Sequence, residues 1–138
     1  MHRIPYGSHG KIDGVAEWWY EDGQPQQRVE YLDGNIHGKS VRWWPNGALQ
    51  AEDQYTYGKR EGTSSEYDGM GKKVKERHYR ADTLHGPCMN WYGNGLKMIE
   101  GQYERGMLEG RWLYWDALGK PGWGRGIQEW QRGTTFME

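Results

Sequence analysis

Between residues 37 and 62 the chain reads HGKSVRWWPNGALQAEDQYTYGKREG. The stretch is bracketed by Gly38 and Gly62, 24 residues apart, with Trp43 five places and Tyr55 seventeen places after the first glycine. Each of these marks recurs. Gly14, Gly38, Gly62, Gly86 and Gly110 keep the same spacing, and each is followed nine residues later by Gly23, Gly47, Gly71, Gly95 and Gly119. Five residues after each leading glycine stands Trp19, Trp43, Tyr67, Trp91 or Trp115. Seventeen after the first four stand Tyr31, Tyr55, Tyr79 and Tyr103, and Trp130 takes that place in the fifth unit if three residues are inserted around PGWGRG. Marks held in register over most of a chain define a repeat protein. The units start near residues 14, 38, 62, 86 and 110, with a partial repeat over 1–13, and 1–138 reads as one repeat domain.

Each unit has the form of a β-hairpin. Asp22-Gly23, Asn46-Gly47 and Asn94-Gly95 are dipeptides that favour tight primed turns, whose central residues need positive φ. The flanking runs VAEWWYE, KSVRWWP and RWLYWDA are aromatic and β-branched and have strand length, and no window carries a helical period. The expected fold is all-β: an elongated single-layer antiparallel β-meander of about five 24-residue hairpin repeats, with about ten strands.

Composition agrees with a thin sheet. Leu, Ile, Val and Phe supply only 17 of 138 residues, whereas there are nine Trp and ten Tyr. So few aliphatics cannot fill a thick core, so the aromatics must do the covering. The formal net charge of −1 gives no global pull toward nucleic acid or membrane. Cys88 is the one cysteine, which excludes an intramolecular disulfide and leans toward a reducing, cytoplasmic setting. No run is long enough to span a bilayer as a helix.

At this point the chain resembles a known family, the MORN repeats, and within it the bacterial YwqK-type antitoxin subfamily. The resemblance is carried by WWYEDG (18–23), WWPNGALQAEDQYTYGKREG (43–62), NWYGNGLKMIEGQYERGMLEG (90–110) and RWLYWDALG (111–119), and extends over residues 6–135. It implies a β-meander used as an interaction scaffold. The antitoxin label implies neutralisation of a partner protein, and eukaryotic members are credited with binding acidic phospholipids.

Positions equal in every unit serve what all units share, the fold; positions that vary are free to serve a partner. On that basis Trp19, Trp43, Tyr67, Trp91 and Trp115 are core rungs, together with the four recurring tyrosines. Trp18, Tyr20, Trp44, Tyr92, Trp112 and Tyr114 occur in only some units and lie an odd number of residues from their rung, which sends them to the opposite face. Two readings stand for these six: a partner-binding patch of exposed aromatics, or side chains half-covered by their neighbours. Ile12, Ile36, Leu84 and Leu108 recur two residues before the leading glycine and should close one edge; Arg60 breaks that series.

The third unit departs furthest, with Asp68 for an aromatic, Asp82 for a glycine, and the run KKVKERHYR. Lys72, Lys73, Lys75, Arg77 and Arg80 form a basic patch in sequence, which fits an acidic protein surface or anionic lipid; the alternative is a solvated strand.

Candidate chemistry is thin. His37 and His85 hold equivalent places two repeats apart, roughly 19 Å at two strands per repeat, too far to share a metal. The series Asp13, His37, Glu61, His85, Glu109 reads instead as a polar ladder along one turn edge, bonding local backbone. Glu52, Glu76 and Glu100 recur once per repeat, and a single layer offers no deep pocket to raise one carboxylate's pKa. No phosphate-binding or dinucleotide glycine motif and no nucleophile motif is present, so no catalytic residue, metal or cofactor is assigned.

The expected function is a non-enzymatic protein-binding scaffold. The resemblance sharpens this to an antitoxin or immunity protein acting on a toxin or effector. The alternative is an acidic-phospholipid binder. A cell-wall glycan or choline binder ranks lower because such modules have shorter repeats behind a secretion signal, and nucleic acid is not an expected partner.

Overall fold

The computed structural model describes residues 1–122. The expected strand of the fifth unit around Trp130, and the insertion around PGWGRG beyond Gly122, lie outside the described residues.

Within them the chain forms one open 12-stranded sheet. The strands are β1 (His2–Arg3), β2 (Gly14–Trp19), β3 (Pro25–Leu32), β4 (Asn35–Trp43), β5 (Leu49–Thr56), β6 (Lys59–Arg60), β7 (Gly62–Tyr67), β8 (Lys73–Arg80), β9 (Thr83–Leu84), β10 (Gly86–Trp91), β11 (Lys97–Glu104) and β12 (Met107–Tyr114). Neighbours in sequence are neighbours in space, all antiparallel, in the order β1-β2-β3-β4-β5-β7-β8-β10-β11-β12, with β6 on β5 and β9 on β8. Nine of the ten expected strands lie within the described residues, and three more arise: β1 in the partial repeat, and the two-residue β6 and β9. At β6 and β9 the pattern that makes β4 and β12 continuous is interrupted at Glu61 and His85.

The two edges of the sheet turn differently. At the inter-repeat edge β3 meets β4 through Asp33-Gly34, both at positive φ (51° and 90°), and Tyr57-Gly58 and Arg105-Gly106 repeat this geometry. These two-residue loops are the primed turns, because their twist matches that of the flanking strands. Ala81-Asp82 makes the same turn at φ 47° and 73° without a glycine.

At the hairpin edge the Asp-Gly and Asn-Gly pairs are not primed turns, contrary to the sequence expectation. Only the glycine of each pair takes positive φ (92° at Gly47). Gly47 N–H donates to the Trp44 carbonyl, and Trp44 N–H to the Ala48 carbonyl. That is a three-residue loop: a type I turn closed by a left-handed glycine. Asn46 needs no positive φ there because its Oδ1 accepts the Ala48 N–H at 2.9 Å, an Asx turn.

Cross-strand partners share a face. On the front face, one row runs through Trp18, Gln27, Arg42, Ala51, Glu66, Lys75, Asn90, Ile99 and Tyr114. The next front row contains Ala16, Val29, Ser40 and Asp53, then Arg77 opposite Ser64, and Cys88 opposite Gly101. The core is these two rows. The buried apolar residues are Ala16, Val29, Ala51, Cys88 and Trp112, small ones in the main, shaded by larger neighbours.

The expected aromatic core divides in two. Tyr31, Tyr55, Tyr79 and Tyr103 lie on the front face, each opposite Ile36, Arg60, Leu84 or Leu108. The Trp19 to Trp115 series alternates onto the back face. Both sets are half-buried, as befits a sheet with no second layer among the described residues.

Candidate functional site

Of the six aromatics set apart by the sequence, three are tied into the scaffold at the hairpin edge. Tyr20 Oη donates to the Trp43 carbonyl at 2.6 Å, Trp44 Nε1 to the Tyr67 carbonyl at 3.2 Å, and Tyr92 Oη to the Trp115 carbonyl at 2.9 Å. Each reaches one repeat forward. Asn46 and Asn94 do the same from two places later, donating to Gly69 and Ala117 carbonyls at 2.8 Å. In the third and fifth units the aromatic is replaced by Asp68 or Asp116, whose Oδ1 instead accepts two N–H groups of its own turn. The variation that marked this position as free is thus an exchange between two structural solutions.

The other three lie on the front face. Trp18 is half-buried at one end, beside His2 and Gln27. Trp112 is 3% exposed: its indole lies flat where a Cβ on Gly101 would be, and meets Tyr103 edge-on at 5.2 Å. Tyr114 is 46% exposed and offers surface at the other end.

The five cations of the basic run do not share one surface: Lys72 lies in the turn, a bulge between Lys73 and Lys75 turns Lys73 away, and alternation turns Arg80 away. Lys72 Nζ donates to the Gly93 carbonyl at the hairpin edge. Lys73 turns to the back face, where it pairs with Glu76 at 3.0 Å, and Arg80 lies toward the opposite edge beside His78 and His85. Lys75 and Arg77 face the front.

There Lys75 and Arg77 meet cations from other strands. A cavity of about 180 Å³ is lined by Arg42, Arg60, Lys75 and Arg77, with Asp53 and Glu66 between them. Arg77 Nη1 donates to Asn90 Oδ1 at 2.8 Å and to the Glu76 carbonyl at 3.0 Å. Arg60 donates to Tyr55 Oη and, at 3.1 Å, to Tyr79 Oη, with its guanidinium 5.1 Å from the Tyr79 ring centre. The hydrogen bond to Tyr55 holds its pKa above the ordinary arginine value. Asp53 accepts from Ser64. Sequence order hid this site: Arg42 and Arg60 stand near opposite ends of the second repeat, outside the basic run. The one available signal was Arg60 in a series of Ile and Leu.

The recurring glutamates Glu52, Glu76 and Glu100, with Glu17 at one end of the same row, form ion pairs on the back face. Glu17 pairs with Arg3 and Arg28, Glu52 with Lys39 at 3.4 Å, and Glu100 with Lys97 at 2.8 Å. Glu76 takes both Lys73 and His78. Burial pushes its pKa up, but these two hydrogen bonds pull it further down, below the usual glutamate value.

The polar ladder at the inter-repeat edge bonds backbone, as its spacing implied. His37 Nδ1 accepts the Tyr57 N–H at 3.0 Å, Glu61 the Ala81 N–H at 2.8 Å, and His85 Nδ1 the Arg105 N–H at 3.4 Å, each serving the first residue of a primed turn. Among the described residues no three His, Cys, Asp or Glu side chains are grouped to hold a metal ion. Cys88 is 2% exposed, and burial pushes its thiol pKa up, away from the reactive thiolate. No helix among the described residues is long and apolar enough to cross a membrane.

The family model of the MORN repeat variant matches this chain twice, at residues 12–33 and 36–57. Both matches fall on the repeats read from glycine spacing, and the meander is the architecture such repeats build. MORN repeats are binding repeats rather than a catalytic family. No curated protein matches the chain.

Proposed function

We propose that this chain is a non-enzymatic scaffold that binds another protein, and in its sharpest form an antitoxin or immunity-type protein that caps a toxin or effector in the cytoplasm. The observation that carries the reading is the front face. It is an open sheet surface with a half-buried Trp18 at one end, an exposed Tyr114 at the other and a charged cavity between them. Aromatic ends around a polar centre suit a folded protein surface, since Trp and Tyr anchor interfaces and charge sets register. The matched repeat family supports binding; the antitoxin role is our extension of the resemblance.

The test is capture on the tagged, folded chain from native lysate, run beside flotation with vesicles of phosphatidylcholine containing phosphatidylserine. The expected result is one protein recovered at near-stoichiometric amount, lost on Trp18→Ala with Tyr114→Ala, and no vesicle association. Tight vesicle binding with no protein recovered would replace this reading with the acidic-phospholipid one.

A further inference from the structure

The front-face cavity is made by departures from the repeat. Two residues before the leading glycine, the other units carry Ile12, Ile36, Leu84 and Leu108, whereas here stands Arg60. Fifteen after it the outer units carry Val29 and Gly101, but the middle ones Asp53 and Arg77. Thirteen after, Ala51 and Ile99 are matched by Lys75. The fold does not need charge at these places, because its other units do without it. All of these replacements fall on one face within two repeats, on β5, β6 and β8.

The four cations face two carboxylates, which leaves the lining two positive charges in excess. Asp53 is engaged by Ser64, and Arg60 and Arg77 are fixed by Tyr55, Tyr79 and Asn90. The side chains of Arg42 and Lys75 make no hydrogen bond or ion pair among the described residues. The cavity is therefore a cationic floor held by hydrogen bonds, with two cations at its walls left to meet an anion. Its volume of about 180 Å³ is below the roughly 300 Å³ at which small-molecule pockets begin. It suits one side chain inserted from a larger body, and arginine forks match a planar carboxylate.

We infer that this cavity receives an aspartate or glutamate side chain of a protein partner and is the centre of the binding face. The inference rests on the protein-binding reading above and names the chemistry of the partner's anchor.

The probe is a short blocked peptide with one central Glu, titrated into the full chain and followed by shifts of backbone amides and arginine Nε–H resonances. Saturable shifts are expected on β4, β6 and β8, at least fivefold weaker for the Gln peptide and weaker again as salt rises. Arg42→Gln with Lys75→Gln touches no scaffold hydrogen bond and should reduce the affinity at least tenfold. Arg60→Ile, the scaffold's own residue at that place, should do likewise. Lys39→Gln on the back face should change nothing. Equal binding of the Glu and Gln peptides overturns the inference, as does unchanged affinity in folded Arg42→Gln/Lys75→Gln. Saturation by inorganic phosphate or phosphatidylserine vesicles without peptide binding also overturns it. If these variants still capture a protein partner at wild-type strength, the carboxylate inference falls and the scaffold reading stands; if the wild-type chain captures none, the scaffold reading falls.

Discussion

Gly101 and Trp112 form a size-matched pair whose disruption can be worked through. Gly101 does not have positive φ, so it is glycine for space rather than for backbone freedom. A Cβ there would lie 2.2 Å from Trp112 Cδ2, 2.4 Å from Cε2 and 2.6 Å from Cε3. To restore ordinary contact the ring must withdraw by about 1 Å, yet it is 3% exposed and braced by Tyr103. Replacing a strand glycine by alanine normally gains about 0.5–1 kcal/mol. Overpacking costs about 1–3 kcal/mol, so the clash wins and Gly101→Ala should destabilise by about 1 kcal/mol net. Trp112→Ala should cost about 3–5 kcal/mol, as removal of a buried large aromatic does. At the first-to-second junction the equivalent places are filled the other way, with large Val29 opposite small Ser40. Gly101→Val combined with Trp112→Ala should therefore cost less than the sum of the single changes by about 1–3 kcal/mol. Urea unfolding followed by circular dichroism measures all four states of the cycle. A Gly101→Ala variant as stable as the parent, or strict additivity in the cycle, would refute the packing argument.

Three further outcomes follow from the same description. Trp44→Phe should lose about 1 kcal/mol with the indole bond to Tyr67, and Trp44→Ala about 2–3 kcal/mol; a Trp44→Ala protein with parental thermal stability would show that the tie carries nothing. Ala81→Asn with Asp82→Gly should raise stability by about 1 kcal/mol, since Ala81 and Asp82 hold left-handed angles that Asn and Gly tolerate, against loss of the 3.3 Å bond from Arg60 N–H to Asp82; a fall in midpoint would count against it. Glu76 has its folded pKa lowered from 4.5, so its contribution is present above pH 4.5 and lost as pH falls through that lowered value. Thermal melts across this range should fall less steeply for Glu76→Gln than for the parent, and parallel curves would contradict the assignment.

The repeat, its hairpins and the strand order were all legible in the sequence, because glycine spacing and strand alternation are local rules. What remained hidden depended on bonds between repeats. Position Trp44/Asp68 looked free since its residue type varies, but aromatic and aspartate satisfy the edge by different means, one forward and one at home. Asn46-Gly47 read as a primed turn because the dipeptide permits it; the Asx bond to Ala48 selects the other geometry. KKVKERHYR read as a patch because the eye follows the chain, whereas the cavity draws Arg42 and Arg60 from strands that only the ladder brings beside Lys75 and Arg77.

The forward ties also have a thermodynamic direction. First-to-second, second-to-third and fourth-to-fifth repeats are joined by an aromatic reaching ahead, while Asp68 keeps its bonds to its own turn. At that seam Met89 opposite Glu76 and Asn90 opposite Lys75 continue the ladder, as Ala51 opposite Glu66 and Glu52 opposite Ser65 do one seam earlier. The bonds across it come from Arg77 to Asn90 and the Met89 carbonyl and from Lys72 to the Gly93 carbonyl. Stability in a repeat array is a sum of unit and interface contributions, so a weak interface divides the array into separately melting blocks. An aromatic at this position ties its unit to a successor; an aspartate satisfies its own turn and leaves the tie to other side chains. The third-to-fourth seam thus replaces the forward aromatic with Arg77 and Lys72, and a protein lengthened with Trp44-type units should melt more cooperatively than one lengthened with Asp68-type units that lack those cations.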